Sequence, residues 1–286
     1  MAVDSSIACR EAEPHSLGLE LGAEYKKFVA TEPENISIVL SLAGISTSQG
    51  KKYRSTFDPS ALWVLHHNNR ADFRIEYKTG FQGVTLSYID VNLNTMDGTI
   101  FITEEGRKVS ETESLPFVHP VDGVIFINLL PSCGGILLHA CGVGDNGRGF
   151  VFPGGSGDGK STTARLWDGE VGARVLSDER IIIREIGEKL YAFGTPWHGE
   201  VKVCDPGKVE IEKIFFLGHA EKNHAEHISA SDAAERMFVR CLPTFWDKEG
   251  MELTLSLINK IVKKVPCYEL GFVPDKSAVD FVRNAK

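Results

Sequence analysis

The pattern of apolar and polar positions changes character once along the chain. From about residue 17 to 118, β-branched and aromatic runs are separated by Asn, Asp and Gly turn residues: ISIVLSLA (36–43), DFRIEY (72–77), GVTLSYIDVNL (83–93) and GTIFITEE (98–105). Runs of this kind predict strands, and together they predict a mainly antiparallel module. Ahead of them, LGAEYKKFVAT has the spacing of one amphipathic helix. LHHNNR, with His66 and His67 adjacent, reads as a solvated turn. Were it a strand, the two rings would face opposite sides and could not converge on a metal.

SLPFVHPVDG, with Pro116 and Pro120, breaks this pattern. It sets an expected boundary between a mainly β N-terminal domain (1–118) and a more apolar domain (119–286). The second half predicts a helix over 121–130, the strand ILLHACGV, a polar turn GDNGRG and the strand FVFPG. That turn is too short for a crossover, so the two strands form a hairpin. A glycine-rich loop follows, then a helix from Lys160 to about Trp167, strands RVLSD, IIIREIG and KLYAFG, and the segment GTPWHGE. After FFLGHAE the pattern turns helical in SDAAERMFVRCL, capped by Ser231, and in MELTLSLINKIVKKV. A strand CYELGF and a helix in PDKSAVDFVRNA close the chain. No internal repeat is present.

Composition narrows the function classes. With 286 residues, 42% hydrophobic and 24% charged, the chain has the makeup of a soluble globular protein long enough for two domains. A net charge of −8 and a pI near 5.6 argue against nucleic acid or an anionic membrane as partner, because both require a basic surface. MAVDSSIACREAEPH has neither a basic n-region nor an apolar core, which predicts no signal or transit peptide and a cytoplasmic location. Residues 121–143 have transmembrane length but carry Asp122, Asn128, Pro131 and His139, each costly at bilayer depth. Six scattered cysteines without a CxxC pair fit reduced thiols.

The chemistry lies in GGSGDGKS, residues 154–161, which satisfies the P-loop (Walker A) pattern GxxxxGK[ST]. Gly154, Gly155, Ser156, Gly157, Asp158 and Gly159 would turn backbone N–H groups around phosphate oxygens, and the start of the following helix, Lys160 to Thr162, adds its positive end. Lys160 would reach the β and γ phosphates, and the Ser161 hydroxyl would ligate magnesium. Asp178, at the end of the strand RVLSD, stands where such folds hold magnesium or accept a proton; Glu179 beside it points the other way along a strand. His139, in an apolar strand, reads on its own as a hydrogen-bonded core histidine. HAEKNHAEH (219–227) reads as a solvated loop. Arg174, Arg180, Arg236 and Arg240 are candidates for neutralising a transferred phosphate.

With His139 21 residues before Lys160 and Asp178 18 after it, the narrower pattern GxSGxGKS resembles the catalytic domain of HPr kinase/phosphorylase. GTPWHGE and the ending around CYELGF and PDKSA look more like the related HPr-kinase-like serine kinases. The resemblance covers roughly residues 120–286. It implies an α/β fold with a P-loop kinase core of the HPr kinase/PEP carboxykinase type. It also implies Asp178 as the base that takes the acceptor's proton, His139 beside it, and Glu200 as a magnesium ligand. The Asp-Asp pair of the family is Asp178-Glu179 here, which makes Glu179 a further candidate for the metal. The expected activity is Mg-ATP-dependent transfer of a γ-phosphoryl group to a serine hydroxyl in a protein, a peptide or free serine. The N-terminal half would recognise this acceptor, and a homo-oligomer is the assembly the family implies. The alternative is a non-catalytic ATP/ADP sensor, which would not need Asp178, His139 and Glu200 in register; a small-molecule kinase or carboxykinase-like enzyme is a third.

Overall fold

Period-two alternation of apolar side chains builds the first sheet. In the computed structural model, which describes residues 5–11, 23–28, 36–45, 52–58, 62–79, 83–110 and 121–285, it has seven strands. They are β1 (Ser5–Glu11), β2 (Ile36–Ile45), β3 (Ser55–Phe57), β4 (Trp63–Asn69), β5 (Asp72–Lys78), β6 (Thr85–Asn92) and β7 (Asp97–Ile102), in the spatial order β1-β2-β7-β6-β5-β4-β3. The row Leu65, Ile75, Ile89 and Ile100 is in register and buried on one face. On the other face His66, Arg74, Asp90 and Thr99 form a polar row. There the Arg74 guanidinium donates to Asp90 at 2.5 and 2.9 Å and lies over the rings of Tyr88 and Phe101. The pairing is antiparallel from β7 to β3, as the patterns predict, but β1–β2 and β2–β7 are parallel.

Three local expectations change. LHHNNR is the body of β4 rather than a turn: His66 bonds Thr56 and Glu76 across the strands, while His67 is buried on the apolar face, which pushes its pKa down. GTIFITEE is not all strand, because β7 stops at Ile102 and the Thr103 hydroxyl accepts the Gly106 amide, starting helix α2 (Glu104–Ser110). Thr followed by two glutamates is a helix-start signature. In LGAEYKKFVAT the described residues hold only the short helix α1 (Ala23–Lys26). The Pro116–Pro120 break lies outside the described residues.

The chain divides into two compact units: Met1–Gly22, Val29–Leu129 and Thr244–Gly250 form one, and Ala23–Phe28, Leu130–Pro243 and Met251–Lys286 the other. The apolar run 121–143 is split among helix α3 (Val121–Leu129), a 3-10 turn (Leu130–Cys133) and the first strand of the second sheet. Among the described residues no helix is long and apolar enough to cross a membrane.

The second unit contains β8 (Gly135–Asp145), β9 (Arg148–Pro153), α4 (Lys160–Trp167), β10 (Ala173–Ser177), β11 (Arg180–Ile186), β12 (Lys189–Phe193), β13 (Lys208–His219), β14 (His224–His227), α5 (Ala230–Phe238), α6 (Lys248–Lys264, whose first turn belongs to the other unit), β15 (Cys267–Phe272) and α7 (Ser277–Asn284). Asn146 and Gly147, at φ 49° and 84°, close the β8–β9 hairpin with the left-handed pair that two-residue turns favour. β8 pairs β11, β11 pairs β12, β12 pairs β13, and β9 pairs both β13 and β8, so five strands close a ring. β10 and β11 lie end to end along β8: Ser177 faces Gly142, Arg180 faces His139, and Asp178-Glu179 fill the break between them. HAEKNHAEH is not a loop throughout, since His219 ends β13 and residues 224–227 form β14 against β15.

Helices cover the sheet with apolar stripes. Ala233 and Met237 of α5 and Leu257, Ile258, Ile261 and Val262 of α6 pack with Leu138, Leu176 and Ile214. Ala164 and Trp167 of α4 and Val279 and Val282 of α7 pack with a second cluster, where Phe152, Phe215 and Tyr268 stack at 5.7 and 5.3 Å. The cap of α5 is Ser229, not Ser231: the Ser229 hydroxyl accepts the Asp232 amide at 3.1 Å. Ser229→Ala should therefore cost about 1 kcal/mol in urea unfolding, while Ser231→Ala at an exposed position should leave the midpoint unchanged.

Candidate functional site

The glycine loop runs from the end of β9 into α4, and its backbone is held from two sides. At its start the Gly154 amide donates to the His139 carbonyl, and the His139 amide in turn donates to the Arg240 carbonyl at 2.8 Å. At its end Gly157 and Gly159 take φ of 86° and 105°, a left-handed conformation in which a Cβ would be strained. A Cβ on Gly159 would also strike the Phe272 ring at 2.9 Å, so the helix entry is packed tightly onto β15. Among the described residues, the amides of Ser156, Gly157, Gly159, Lys160, Ser161 and Thr162 have no acceptor; the first bond into the helix is Thr163 to the Gly159 carbonyl. Such a run of amides at a helix start is an anion-binding concavity.

Lys160 is 6% exposed, and its Nζ donates to the Gly155 carbonyl at 2.8 Å. Burial lowers its pKa, opposed by the charges of Glu179, Asp158 and Asp178. The Asp158 carboxylate accepts the Gly155 amide at 2.6 Å and Arg240 Nη2 at 3.3 Å. Burial pushes its pKa up, but these donors and the Lys160 charge outweigh burial and hold it below the usual carboxylate range.

The break between β10 and β11 supplies the carboxylates. The Ser177 hydroxyl accepts the amides of Glu179 and Arg180 and donates to the Trp197 carbonyl, which fixes the turn. Asp178 is fully buried: Gly199 N donates to Oδ1 at 2.7 Å, Val201 N to Oδ2 at 3.0 Å, and the Ser161 hydroxyl lies 3.5 Å from Oδ2. A Cβ on Gly199 would sit 2.8 Å from Asp178 Oδ2, so glycine permits this close approach. Glu179 Oε2 would lie 3.5 Å from that same Cβ, so both carboxylates border Gly199, and it is 3.3 Å from His139 Nε2; the His139 bond holds the Glu179 carboxyl below the usual range against the effect of burial.

The loop, Lys160, Ser161, Asp178, Glu179 and His139 thus meet in the second unit. The Glu200 carboxylate does not join them: it pairs with Arg165 on the outside of α4 at 3.2 Å, both side chains being exposed, although its flanking amide at Val201 serves Asp178. Of the four arginines, Arg240 reaches the loop. Arg174 donates to the Lys208 carbonyl, Arg180 is 4.0 Å from Glu179, and Arg236 pairs with Glu269. Two residues were not legible as site residues in the sequence: Ser177, whose hydroxyl shapes the turn, and His219, whose Nε2 lies 3.0 Å from the Gly157 carbonyl.

No family model matches the chain. No curated protein matches it either. Among solved structures it is similar to the Hpr(Ser) kinase/phosphatase from Coxiella burnetii, at 13% identity and a TM-score of 0.25, over 45% of this chain and 91% of that one.

What the site can do follows from its own geometry. Unpaired amides and a buried ammonium fit a polyphosphate anion. Among the described residues no three His, Cys, Asp or Glu side chains are grouped to hold a metal ion. A magnesium ion carried in on phosphates needs only one or two protein oxygens, and the Ser161 and Asp178 side chains fit that need. Five cysteines among the described residues are free, and burial pushes the thiols of Cys241 and Cys267 up to about 12, which keeps them protonated and unreactive.

Proposed function

We propose that the second unit is a Mg-ATP-dependent kinase that transfers the γ-phosphoryl group to a serine hydroxyl. The observation that carries this is the run of unpaired amides from Gly157 to Thr162, interrupted only at Asp158, converging with Lys160 on the turn that holds Asp178. The Gly157–Thr162 amides would hold phosphate oxygens, Lys160 would move from the Gly155 carbonyl to the β and γ phosphates, and the Ser161 hydroxyl would face the magnesium ion. Bound magnesium would supply neutralisation of the charge on the phosphates. Asp178 would take the proton from the acceptor hydroxyl. Because it is covered by the Trp197–Val201 backbone, that hydroxyl reaches it by exchanging for one of the two amides it now accepts. His139 would hold Glu179, and Arg240 would face the phosphates from beside Asp158. The acceptor as a serine hydroxyl rests on the GxSGxGKS resemblance, with a protein, a peptide or free serine as its carrier.

The Ser161–Asp178 contact favours a second assignment within the same reaction. In phosphate-loop enzymes a carboxylate against the loop serine holds the metal; Asp178 would then serve magnesium and the more exposed Glu179 would be the base. The test is transfer of labelled γ-phosphate from Mg-ATP into a desalted extract supplemented with free serine, by the wild type, Asp178→Asn and Glu179→Gln. Label on one product that is lost in Asp178→Asn supports the kinase and delivers the acceptor by mass. ATP binding without transfer in any of the three turns the reading to a nucleotide sensor.

A further inference from the structure

We propose that Asp158 is a built-in anion of the glycine loop, which holds Arg240 at the loop and which ligand phosphate must displace to bind. The inference rests on the reading that this loop binds phosphates. A single oxygen, Asp158 Oδ2, accepts both the Gly155 amide at 2.6 Å and Arg240 Nη2 at 3.3 Å. These are the two kinds of donor, a loop amide and a guanidinium, that a phosphate oxygen would take in their place. A Cβ on Gly154 or Gly155 would come within 3.5 Å of that same oxygen, so the carboxylate lies against the side of the loop that the absence of side chains leaves open.

Gly155 is held at both its N–H and its carbonyl. Its N–H is taken by Asp158, and its carbonyl accepts Lys160 Nζ and, at 3.4 Å, the Asp158 amide. Arg240 is under-satisfied where it stands. Its Nη1 donates to the Arg236 carbonyl, its Cζ lies 5.9 Å from the Phe216 ring centre, and its Nε is buried without an acceptor. The loop therefore satisfies its own cation and two of its amides, those of Gly155 and Asp158, internally, and leaves the amides of Ser156, Gly157 and Gly159 to Thr162 for a ligand. The pattern GxxxxGK[ST] leaves the position before its last glycine unspecified, so a carboxylate there is a property of this chain. A phosphate approaching the loop meets a like charge, which opposes binding until the carboxylate swings away.

The exchange makes Asp158 a positioning residue that sets affinity, and binding alone reads it out. ADP binding is measured by titration calorimetry for the wild type, Asp158→Asn, Asp158→Ala, Arg240→Ala, Asp158→Ala/Arg240→Ala and Lys160→Ala, each checked for folding by its melting curve. Both Asp158 variants should bind ADP about tenfold tighter; the asparagine keeps the shape and an acceptor for Gly155, so it remains informative should the alanine fail to fold. Arg240→Ala should weaken binding less in the wild type, where the guanidinium's contact with phosphate is gained at the loss of its Asp158 pair, than in the Asp158→Ala background, where it should weaken binding about tenfold more. A plain structural role for Asp158 would not produce that coupling. Wild-type binding that weakens in Lys160→Ala but is unchanged or weakened in both Asp158 variants overturns the inference and leaves the phosphate reading standing. No binding by the wild type or by any variant overturns both.

Discussion

Asp178→Asn should lower phosphoryl transfer by about a hundred- to ten-thousandfold, the range expected when a positioned general base is removed, with ADP affinity changed by no more than a few-fold. The separation follows from geometry, since the loop amides and Lys160 do not depend on the Asp178 charge for their positions. The substitution is not silent in stability. Asp178 is fully buried and accepts two backbone amides, from Gly199 and Val201. Asparagine offers one oxygen and one NH2 group, so in either orientation a donor faces a donor, at a cost of about 1–3 kcal/mol. Its melting temperature should fall by several degrees, and the assay belongs well below that midpoint. Wild-type transfer by the folded variant would remove Asp178 from the chemistry. Transfer restored by excess magnesium would give Asp178 the metal and leave the proton to Glu179, whose Glu179→Gln variant should then be the inactive one.

The sequence carried the parts of this site that are local. Strand FVF, glycine loop and helix from Lys160 appear where the pattern puts them, because φ freedom at Gly157 and Gly159 and the following helix formers act over a few residues. The Asn146-Gly147 turn and the stripes of α6 and α7 are legible for the same reason. What escaped is set by residues far apart in the chain. Arg240 meets Asp158 across 82 positions, and nothing near either one distinguishes Arg240 from Arg174, Arg180 or Arg236. Glu200 has a plausible position in sequence, yet Arg165, 35 residues away and on the outer face of α4, takes its carboxylate. His67 shows the same effect in the first sheet: a polar pair in LHHNNR reads as a turn until the strands on either side bury one ring. The pattern makes Ser231 the cap, but Ser229 two residues earlier has the extended backbone, at φ −63° and ψ 154°, that a cap requires.

Lys160→Ala tests the other half of the chemistry. The ammonium is almost fully buried and faces the charges of Glu179, Asp158 and Asp178. Its loss removes a charge-assisted donor worth about 1.5–3 kcal/mol, and leaves those carboxylates facing the incoming phosphates. ADP affinity should fall by about ten- to a hundredfold, and transfer by about a hundred- to a thousandfold beyond that, because the transferring group gathers charge where this cation stood. The wild type also has a signature in pH. Burial depresses the Lys160 pKa in the folded protein, so between that value and the ordinary lysine pKa the unfolded chain binds more protons. In that window the Lys160 contribution to stability rises with pH, while ADP affinity falls as the ammonium loses its proton. Opposite slopes for stability and affinity on the alkaline side, both absent in Lys160→Ala, would tie the two effects to one buried amine. Equal affinity slopes in wild type and variant would show that titration of Lys160 does not govern ligand binding in that window.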